Sequence, residues 1–208
     1  MKIVLASGSP RRKALLGELL AKYGCVFRII ASSLDEENLI KEIIREKGSP
    51  EQIVERLSYA KAEDVFRHLR HDTGDLTVIG ADTIVYFDGQ MIGKPKDADD
   101  ASYILKKIQG NNNEVYTGMT VIMKIGGNIS RETVNSKSTV YMKSMSHENI
   151  SDYVKTGEPL DKAGAYAIQG IGRKFIERYT GDYDSIVGLN VSQLEEILKR
   201  YGIFKWHG

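Results

Sequence analysis

The chain opens with a short apolar strand that runs directly into a capped helix, and this junction limits the folds open to it. K-I-V-L-A at 2–6 indicates a buried strand, and S-G-S-P at 7–10 indicates the turn that ends it. Ser9 is a typical N-cap residue, and Pro10 stands at the first helical position, where its missing N–H has no cost. The sequence therefore predicts a strand–turn–helix unit at the start of the chain.

Apolar periodicity and capping signals predict further helices and strands along the rest of the chain. The predicted helices are 35–47, Ser49 to about Arg70, Asp97 to Gly110, Ser146 to about Gly157, and a last helix with Ser192 and Glu195 spaced as a capping box. The predicted strands are 26–31, 76–85, 115–124 and 133–142, and the glycine-rich stretch 157–189 is predicted to be loop and short strand. The mixture predicts an α/β (or α+β) fold with one elongated, partly antiparallel central sheet and flanking helices.

Composition excludes several classes of protein. The 208 residues contain 29 basic and 28 acidic side chains, so no large basic excess exists to bind a nucleic acid polymer or a membrane surface. Cys25 is the one cysteine, which excludes an internal disulfide framework and a multi-cysteine metal site. The amino terminus reaches a helix cap and arginines too early for a signal peptide, and no apolar run approaches the ~20 residues of a membrane span. We expect a globular protein of the cytoplasm.

Two arginines stand where a helix start normally has acidic residues. Arg11 and Arg12 follow Pro10 directly, in the first helical turn, where the free N–H groups already carry partial positive charge. One interpretation is that both arginines and these N–H groups bind a phosphate or carboxylate. The alternative is a pair of solvated arginines that face nearby carboxylates.

A carboxylate interrupts an apolar run in V-I-G-A-D-T-I-V at 78–85. An ionised Asp82 in a buried strand is unfavourable unless it is paired, hydrogen-bonded or bound to a metal. Such a group is a candidate general base or a ligand of a hard divalent cation. The alternative is that the strand ends here and Asp82 is a turn residue at the surface.

Two lysines complete a set of four cations with the arginines. Lys61 lies within the apolar stripe of its predicted helix, so its ammonium either extends to solvent along its stem or points into a polar site. Lys94 precedes Pro95, which favours an extended backbone in a loop. The spacing of G-Q-M-I-G-K-P excludes a P-loop. Four positive charges suit a ligand with about four negative ones, such as a nucleoside triphosphate.

Five motifs, in order along nearly the whole chain, resemble the Maf family of nucleoside triphosphate pyrophosphatases. They are L-A-S-G-S-P-R-R-K-A-L-L at 5–16, G-A-D-T-I-V at 80–85, G-K-P at 93–95, V-Y-T-G at 115–118 and T-G-E-P-L-D-K-A-G-A-Y-A-I-Q-G at 156–170. The resemblance implies a Maf/Ham1-like (ITPase-like) fold with two lobes around a cleft, formed by residues 1–208 as a single domain. It also implies a homodimer.

The same resemblance implies a reaction and assigns residues to it. The family cleaves a nucleotide between its α- and β-phosphates with a divalent cation, Mg²⁺ or Mn²⁺. Asp82 would be the general base, and Glu36 would join Asp82 in holding the metal. Substrate contacts are implied for Ser7, Arg11, Arg12, Lys61, Thr83, Lys94 and Gln169.

Three of these positions indicate the branch that prefers dTTP and UTP. They are Arg11, Thr83 and Gln169, and the Gln169 amide offers the donor and the acceptor that match the imide edge of thymine or uracil. Two alternatives stay open. One is a nucleotide-binding regulatory protein of septum formation with little catalysis, and the other is a house-cleaning enzyme that prefers modified pyrimidine triphosphates.

Overall fold

The computed structural model describes residues 1–204, and seven strands among them form one mixed sheet accompanied by seven α-helices. The strands are β1 (Lys2–Leu5), β2 (Arg28–Ile29), β3 (Leu76–Phe87), β4 (Gln90–Ile92), β5 (Asn112–Ile125), β6 (Asn128–Met142) and β7 (Ile176–Thr180). The helices are α1 (Pro10–Ala21), α2 (Glu36–Arg45), α3 (Pro50–Leu69), α4 (Ala98–Ile108), α5 (His147–Lys155), α6 (Tyr183–Val187) and α7 (Val191–Arg200). Three short 3-10 helices lie at Glu158–Asp161, Ala163–Ala165 and Gly170–Phe175.

The strand order is β2-β1-β3-β5-β6-β7, and β4 pairs with β3 outside this path. Strand β1 is parallel to both β2 and β3, whereas β3–β4 and β6–β7 are antiparallel. The predicted α/β class and the partly antiparallel sheet are therefore confirmed. No helix within residues 1–204 is both long and apolar enough to span a bilayer.

The helix starts follow the capping residues that the sequence predicts. Ser9 caps α1 and accepts a hydrogen bond from the Arg12 N–H. Ser49 and Gln52 form the predicted capping box of α3, each side chain bonding the other's backbone N–H. This box fixes the start of the longest helix, which carries Lys61.

The structure corrects three expectations about the elements. The last helix is capped by Asn190, whose side chain accepts from the Gln193 N–H, so Ser192 lies inside the helix and forms no capping box. The stretch 157–189 contains the predicted short strand, β7, but it also contains α6 and three 3-10 helices, which the sequence does not predict because single helical turns carry no apolar period. Strand β2 has only the two residues that pair with β1, and Val26, at the start of the predicted strand, lies outside it and is 85% exposed.

The chain divides into two compact units. The first contains Met1–Asp82, Thr117–Asn135 and the residues from Gly188 onward, and the second contains Thr83–Tyr116 and Ser136–Val187. That residues 1–208 act as one domain, with two lobes around a cleft, stays a prediction; residues 205–208 lie outside the described residues.

One hydrophobic cluster in the first unit packs α3 against a single face of the sheet. Its members are Val4, Ala6, Ala62, Val65, Phe66, Leu76, Val78 and Ile122. Because alternate residues of a strand share a face, Leu76 and Val78 lie on the same face of β3 as Asp82. On this face of β3, the apolar core residues are therefore followed by the charged residue Asp82.

Candidate active site

The parallel pairing of β1 and β3 places the amino-terminal turn beside Asp82. Leu5 is in register with Ile79, and the Ala6 N–H donates to the Ile79 carbonyl over 2.7 Å. Because β1 ends in register with Ile79 while β3 continues to Phe87, the turn that follows β1 starts beside the residues of β3 just before Asp82.

Gly80 lets α3 lie directly on β3. A Cβ at this position would be 2.3 Å from the Ser58 carbonyl oxygen and 2.7 Å from the Ala62 nitrogen, so no other residue fits without movement of the helix. Ser58 and Ala62 flank Lys61 in α3, and Gly80 is two residues from Asp82 in β3. The close approach thus brings the lysine and the aspartate together.

Lys61 is the cation on which two carboxylates converge. Its Nζ is 2.5 Å from Asp82 Oδ1 and 2.9 Å from Glu36 Oε2. Lys61 is 7% exposed and Asp82 8% exposed, whereas the Glu36 side chain at the start of α2 is half exposed. The sequence left open that Lys61 reaches solvent and that Asp82 lies in a surface turn. The burial of both residues shows that these two alternatives are wrong.

The guanidinium of Arg12 interacts electrostatically with the carboxylates of this cluster. Its Nε donates to the Gly188 carbonyl over 2.8 Å, and its Nη1 donates to Ser7 Oγ over 3.4 Å. Burial lowers the pKa of Arg12, the neighbouring Arg11 lowers it further, and the carboxylates of Asp82 and Glu36 oppose both effects. The helix cap and the carboxylates are thus electrostatically coupled within the first unit.

Comparison with known proteins identifies the family of this chain. The family model for Maf-like protein matches residues 2–201. The chain belongs to the Maf family. A dTTP/UTP pyrophosphatase of Caldicellulosiruptor saccharolyticus is 43% identical over 97% of this chain and 95% of the relative. A dTTP/UTP pyrophosphatase of Alkaliphilus metalliredigens is 44% identical over 96% of both chains.

A structural relative of this Maf protein is remote. The structure of a nucleoside-triphosphatase / dITP/XTP pyrophosphatase from Mycobacterium abscessus is 14% identical, with a TM-score of 0.37, over 68% of this chain and 73% of that one. A likeness at that level carries no argument about the function of this chain.

The carboxylates of Asp82 and Glu36 offer oxygen ligands to a divalent cation. Asp82 and Glu36 come from different elements and already share one positive charge, the ammonium of Lys61. Within residues 1–204 no group of three or more His, Cys, Asp or Glu side chains is arranged to hold a metal ion. Mg²⁺ is commonly held by one or two carboxylates together with substrate phosphates, so this pair of oxygens fits such an ion.

The remaining predicted residues belong to the second unit. Thr83 follows Asp82 in β3, exposed Lys94 lies in the loop after β4, and exposed Gln169 precedes the last 3-10 helix. The Gln169 side chain does not cap that helix. Their roles, like those of the residues in the first unit, stay predictions.

The sequence gives no sign of one group that organises the cluster. The Gly188 carbonyl, 176 positions from Arg12, accepts the bond that orients the guanidinium. A backbone carbonyl has no residue-type signature, and Gly188 has φ +136°, which its neighbours do not reveal. Only the folded chain identifies this contact.

Proposed function

We propose that the chain is a nucleoside triphosphate pyrophosphatase that hydrolyses dTTP and UTP to the nucleoside monophosphate and pyrophosphate. The observation that carries the proposal is the buried Asp82 carboxylate, held by Lys61 and electrostatically coupled to Arg12 at the cap of α1. An ionised carboxylate beside cations and the positive end of a helix dipole suits a polyphosphate that reacts with water. The names of the Maf relatives support the same activity.

Asp82 is the general base of the proposed reaction. A carboxylate has two oxygens, so one can hold the Lys61 ammonium while the other accepts the proton of the attacking water. The water oxygen bonds to the α-phosphorus as the bond from that phosphorus to the bridging oxygen breaks. Pyrophosphate leaves, and the proton remains on Asp82 until solvent removes it.

The cations bind and orient the triphosphate. Arg11, Arg12 and Ser7 lie around the start of α1, where N–H groups favour a phosphate. Lys61 in the first unit and Lys94 in the second add two further positive charges. Most of the catalysis of phosphoryl transfer comes from such positioning and charge neutralisation.

The proposal includes a divalent cation, Mg²⁺ or Mn²⁺, held by Asp82 and Glu36. When bound, the ion supplies charge neutralisation at the phosphate oxygens. The two carboxylates that hold Lys61 supply the hard oxygen ligands that these ions prefer.

Base selection is assigned to Gln169, with Thr83 and Arg11. The Gln169 amide is exposed and offers both a donor and an acceptor, which complement the imide edge of uracil or thymine. Pseudouridine and 5-methyluridine triphosphates present the same imide edge, so modified nucleotides of this kind belong to the proposed substrate class.

A substrate panel tests the proposal. The protein is incubated with dTTP, UTP, pseudouridine triphosphate, CTP and ATP, each with Mg²⁺ or Mn²⁺, and pyrophosphate and monophosphate are quantified. We expect release from dTTP and UTP that EDTA abolishes. Binding of the nucleotides without pyrophosphate release would contradict catalysis and favour a nucleotide-binding regulator of septum formation.

We also propose the setting in which the enzyme works: a homodimer in the cytoplasm, each chain acting as a single catalytic domain. The balanced net charge of +1 supports the absence of a nucleic acid or membrane partner. Light scattering on the purified protein tests the dimer, and a monomer at micromolar concentration contradicts it.

A further inference from the structure

The exposed tip that carries Gln169 has buried flanks on both sides. Gln169, Gly170 and Ile171 are exposed, whereas Ala167 and Ile168 before them and Gly172 after them are buried. The tip contains no α-helix or strand, so its shape depends on contacts made by the flanks.

The carboxylate of Glu158 binds the flank that follows the tip. Its Oε1 accepts from the Ile171 N–H over 2.9 Å, and its Oε2 accepts from the Gly172 N–H over 2.7 Å. Bonds from backbone N–H groups to a carboxylate are charge-assisted and stronger than neutral ones. One side chain thus fixes two consecutive peptide units of the tip.

Tyr153 in α5 binds the flank that precedes the tip. Its hydroxyl donates to Glu158 Oε2 over 2.7 Å and accepts from the Ala167 N–H over 3.2 Å. The ring is 1% exposed and packs against Phe175, with 5.2 Å between ring centroids. Burial and the bond to Glu158 both raise the pKa of Tyr153, so the hydroxyl keeps its proton and remains a donor.

Two glycines let the backbone of the tip lie directly on these groups. A Cβ at Gly170, which has φ +76°, would be 2.2 Å from Glu158 Oε1. A Cβ at Gly172 would be 2.4 Å from the Tyr153 hydroxyl and 2.6 Å from the Ala167 carbonyl oxygen. Glu158 and Tyr153 therefore hold the backbone at close range before and after Gln169.

We propose that Glu158 and Tyr153 are positioning residues for base recognition: they fix the backbone on both sides of Gln169 and so set the place of its amide. This inference rests on the proposed function, in which Gln169 reads the imide edge of the base. Paired hydrogen bonds to an imide need the amide within about 0.5 Å of its best position. A loosened tip loses those bonds, while Asp82 and the cations of the first unit keep their contacts.

Two variants break the clamp in different ways. Glu158→Gln keeps the size of the side chain but replaces one acceptor oxygen by an NH₂ donor, which then faces an N–H or O–H donor of the tip. Tyr153→Phe keeps the packing against Phe175 and removes only the hydroxyl that joins Glu158 to Ala167. Should Glu158→Gln fail to fold, Tyr153→Phe tests the same proposal.

The measurement is the ratio of kcat/KM for UTP to that for N3-methyl-UTP. The two substrates share the ribose and the triphosphate and differ in the imide N–H, so a general structural defect leaves the ratio unchanged. We expect each variant to lower this ratio by about 10-fold or more, through a higher KM for UTP, with kcat for UTP changed by less than about 3-fold.

Glu114→Gln is the matched control, because Glu114 also accepts a hydrogen bond from a tyrosine hydroxyl of the second unit, that of Tyr116, over 2.7 Å. It should leave the ratio at the wild-type value. The Gln169→Ala variant should already have a lowered ratio of kcat/KM for UTP to that for N3-methyl-UTP. Adding Glu158→Gln to this variant should lower the ratio no further.

The outcomes separate the two proposals. If wild type and Gln169→Ala differ in the ratio but Glu158→Gln and Tyr153→Phe match wild type, the clamp is overturned and the proposed function stands. If wild-type protein releases no pyrophosphate from UTP, the proposed function is overturned and the clamp proposal falls with it. A ratio lowered equally by Glu114→Gln also overturns the clamp.

Discussion

Asp82 and Lys61 are held by two long regular elements, whereas Gln169 is held by short 3-10 turns. A 12-residue strand and a 20-residue helix carry the charged pair, and apolar side chains of the helix pack against the strand beside it. The tip around Gln169 lies outside these long elements, and backbone N–H groups in it and beside it donate hydrogen bonds that Glu158 and Tyr153 accept. The molecule thus builds its candidate charged site and its candidate base-reading site from different interactions.

This difference predicts how each region responds to a substitution. Removing a single hydrogen bond lowers stability by about 1 kcal/mol, which a packed helix and strand absorb. The same loss at the tip removes a large share of what fixes its backbone. We therefore expect variants near Asp82 to affect the chemistry and variants near Gln169 to affect selectivity.

The largest expected effect is that of Asp82→Asn on turnover. The amide cannot accept the proton of the attacking water, so kcat should fall by about 10²–10⁴-fold. Nucleotide binding should persist, because the change removes a negative charge from a site for a polyanion. Pyrophosphate release and equilibrium nucleotide binding measure the two quantities.

The control for this prediction is Asp72→Asn. Asp72 is also held by a lysine, with 2.9 Å to Lys2 Nζ, but its side chain is 41% exposed. Its kcat should equal that of wild type. Near-normal turnover of Asp82→Asn would mean that another group acts as the base.

Gly80→Ala should produce the next largest effect, on stability. The added methyl group meets the backbone of α3 at Ser58 and Ala62, so the helix must move and take Lys61 with it. We expect a loss of about 3 kcal/mol in the free energy of unfolding, measured by urea denaturation. Activity should fall as well, because the contact between Lys61 and Asp82 depends on this approach.

Gly17→Ala is the matched control inside α1. A Cβ there has as its nearest heavy atom the Phe27 ring at 3.8 Å, an ordinary contact. Replacing a helical glycine by alanine should then raise stability by up to about 1 kcal/mol. Equal effects of the two substitutions would show that α3 does not depend on the missing side chain of Gly80.

The same contrast explains what the sequence could predict. Lys61 and Asp82 stand out because a charge interrupts an apolar pattern of known period, in a helix and in a strand. The pattern left open whether each reaches solvent, since the answer depends on how α3 packs on β3. That packing follows from Gly80, whose role requires a contact with residues 18–22 positions earlier in the chain.

The clamp around Gln169 was not predictable in this way. Tyr153 lies in the predicted helix that starts at Ser146, where the apolar period marks it only as a buried position, and Glu158, a single carboxylate before a proline, carries no pattern. Their partners are backbone N–H groups, which every residue other than proline possesses. Only the fold shows which of these groups a side chain binds.

A smaller effect is expected at the tip itself, from Gly170→Ala. This change forces alanine to adopt φ +76° and pushes its Cβ against Glu158 Oε1. We expect a loss of about 2 kcal/mol in the free energy of unfolding, together with faster trypsin cleavage after exposed Arg173 or Lys174.

Gly157→Ala separates the two causes. Gly157 has φ +75°, but a Cβ there would meet no atom within 4 Å. This control should lose only about 1 kcal/mol, the cost of the left-handed backbone, and keep the wild-type rate of trypsin cleavage. Identical cleavage rates for both variants would contradict the idea that contact with Glu158 fixes the tip.

The smallest expected effect concerns the helix start that the sequence misplaced. The sequence predicts that α7 starts with a capping box formed by Ser192 and Glu195. The structure uses Asn190, whose side chain accepts from the Gln193 N–H over 2.9 Å. Asn190→Ala should therefore lower the free energy of unfolding by about 1 kcal/mol, whereas Ser192→Ala should change it by less than about 0.5 kcal/mol. The reverse order, measured by urea denaturation, would place the cap at Ser192.

Because the Gly188 carbonyl that binds Arg12 lies just before this cap, Asn190→Ala should also weaken nucleotide binding slightly. This effect would link a local helix cap to the charged region around Asp82.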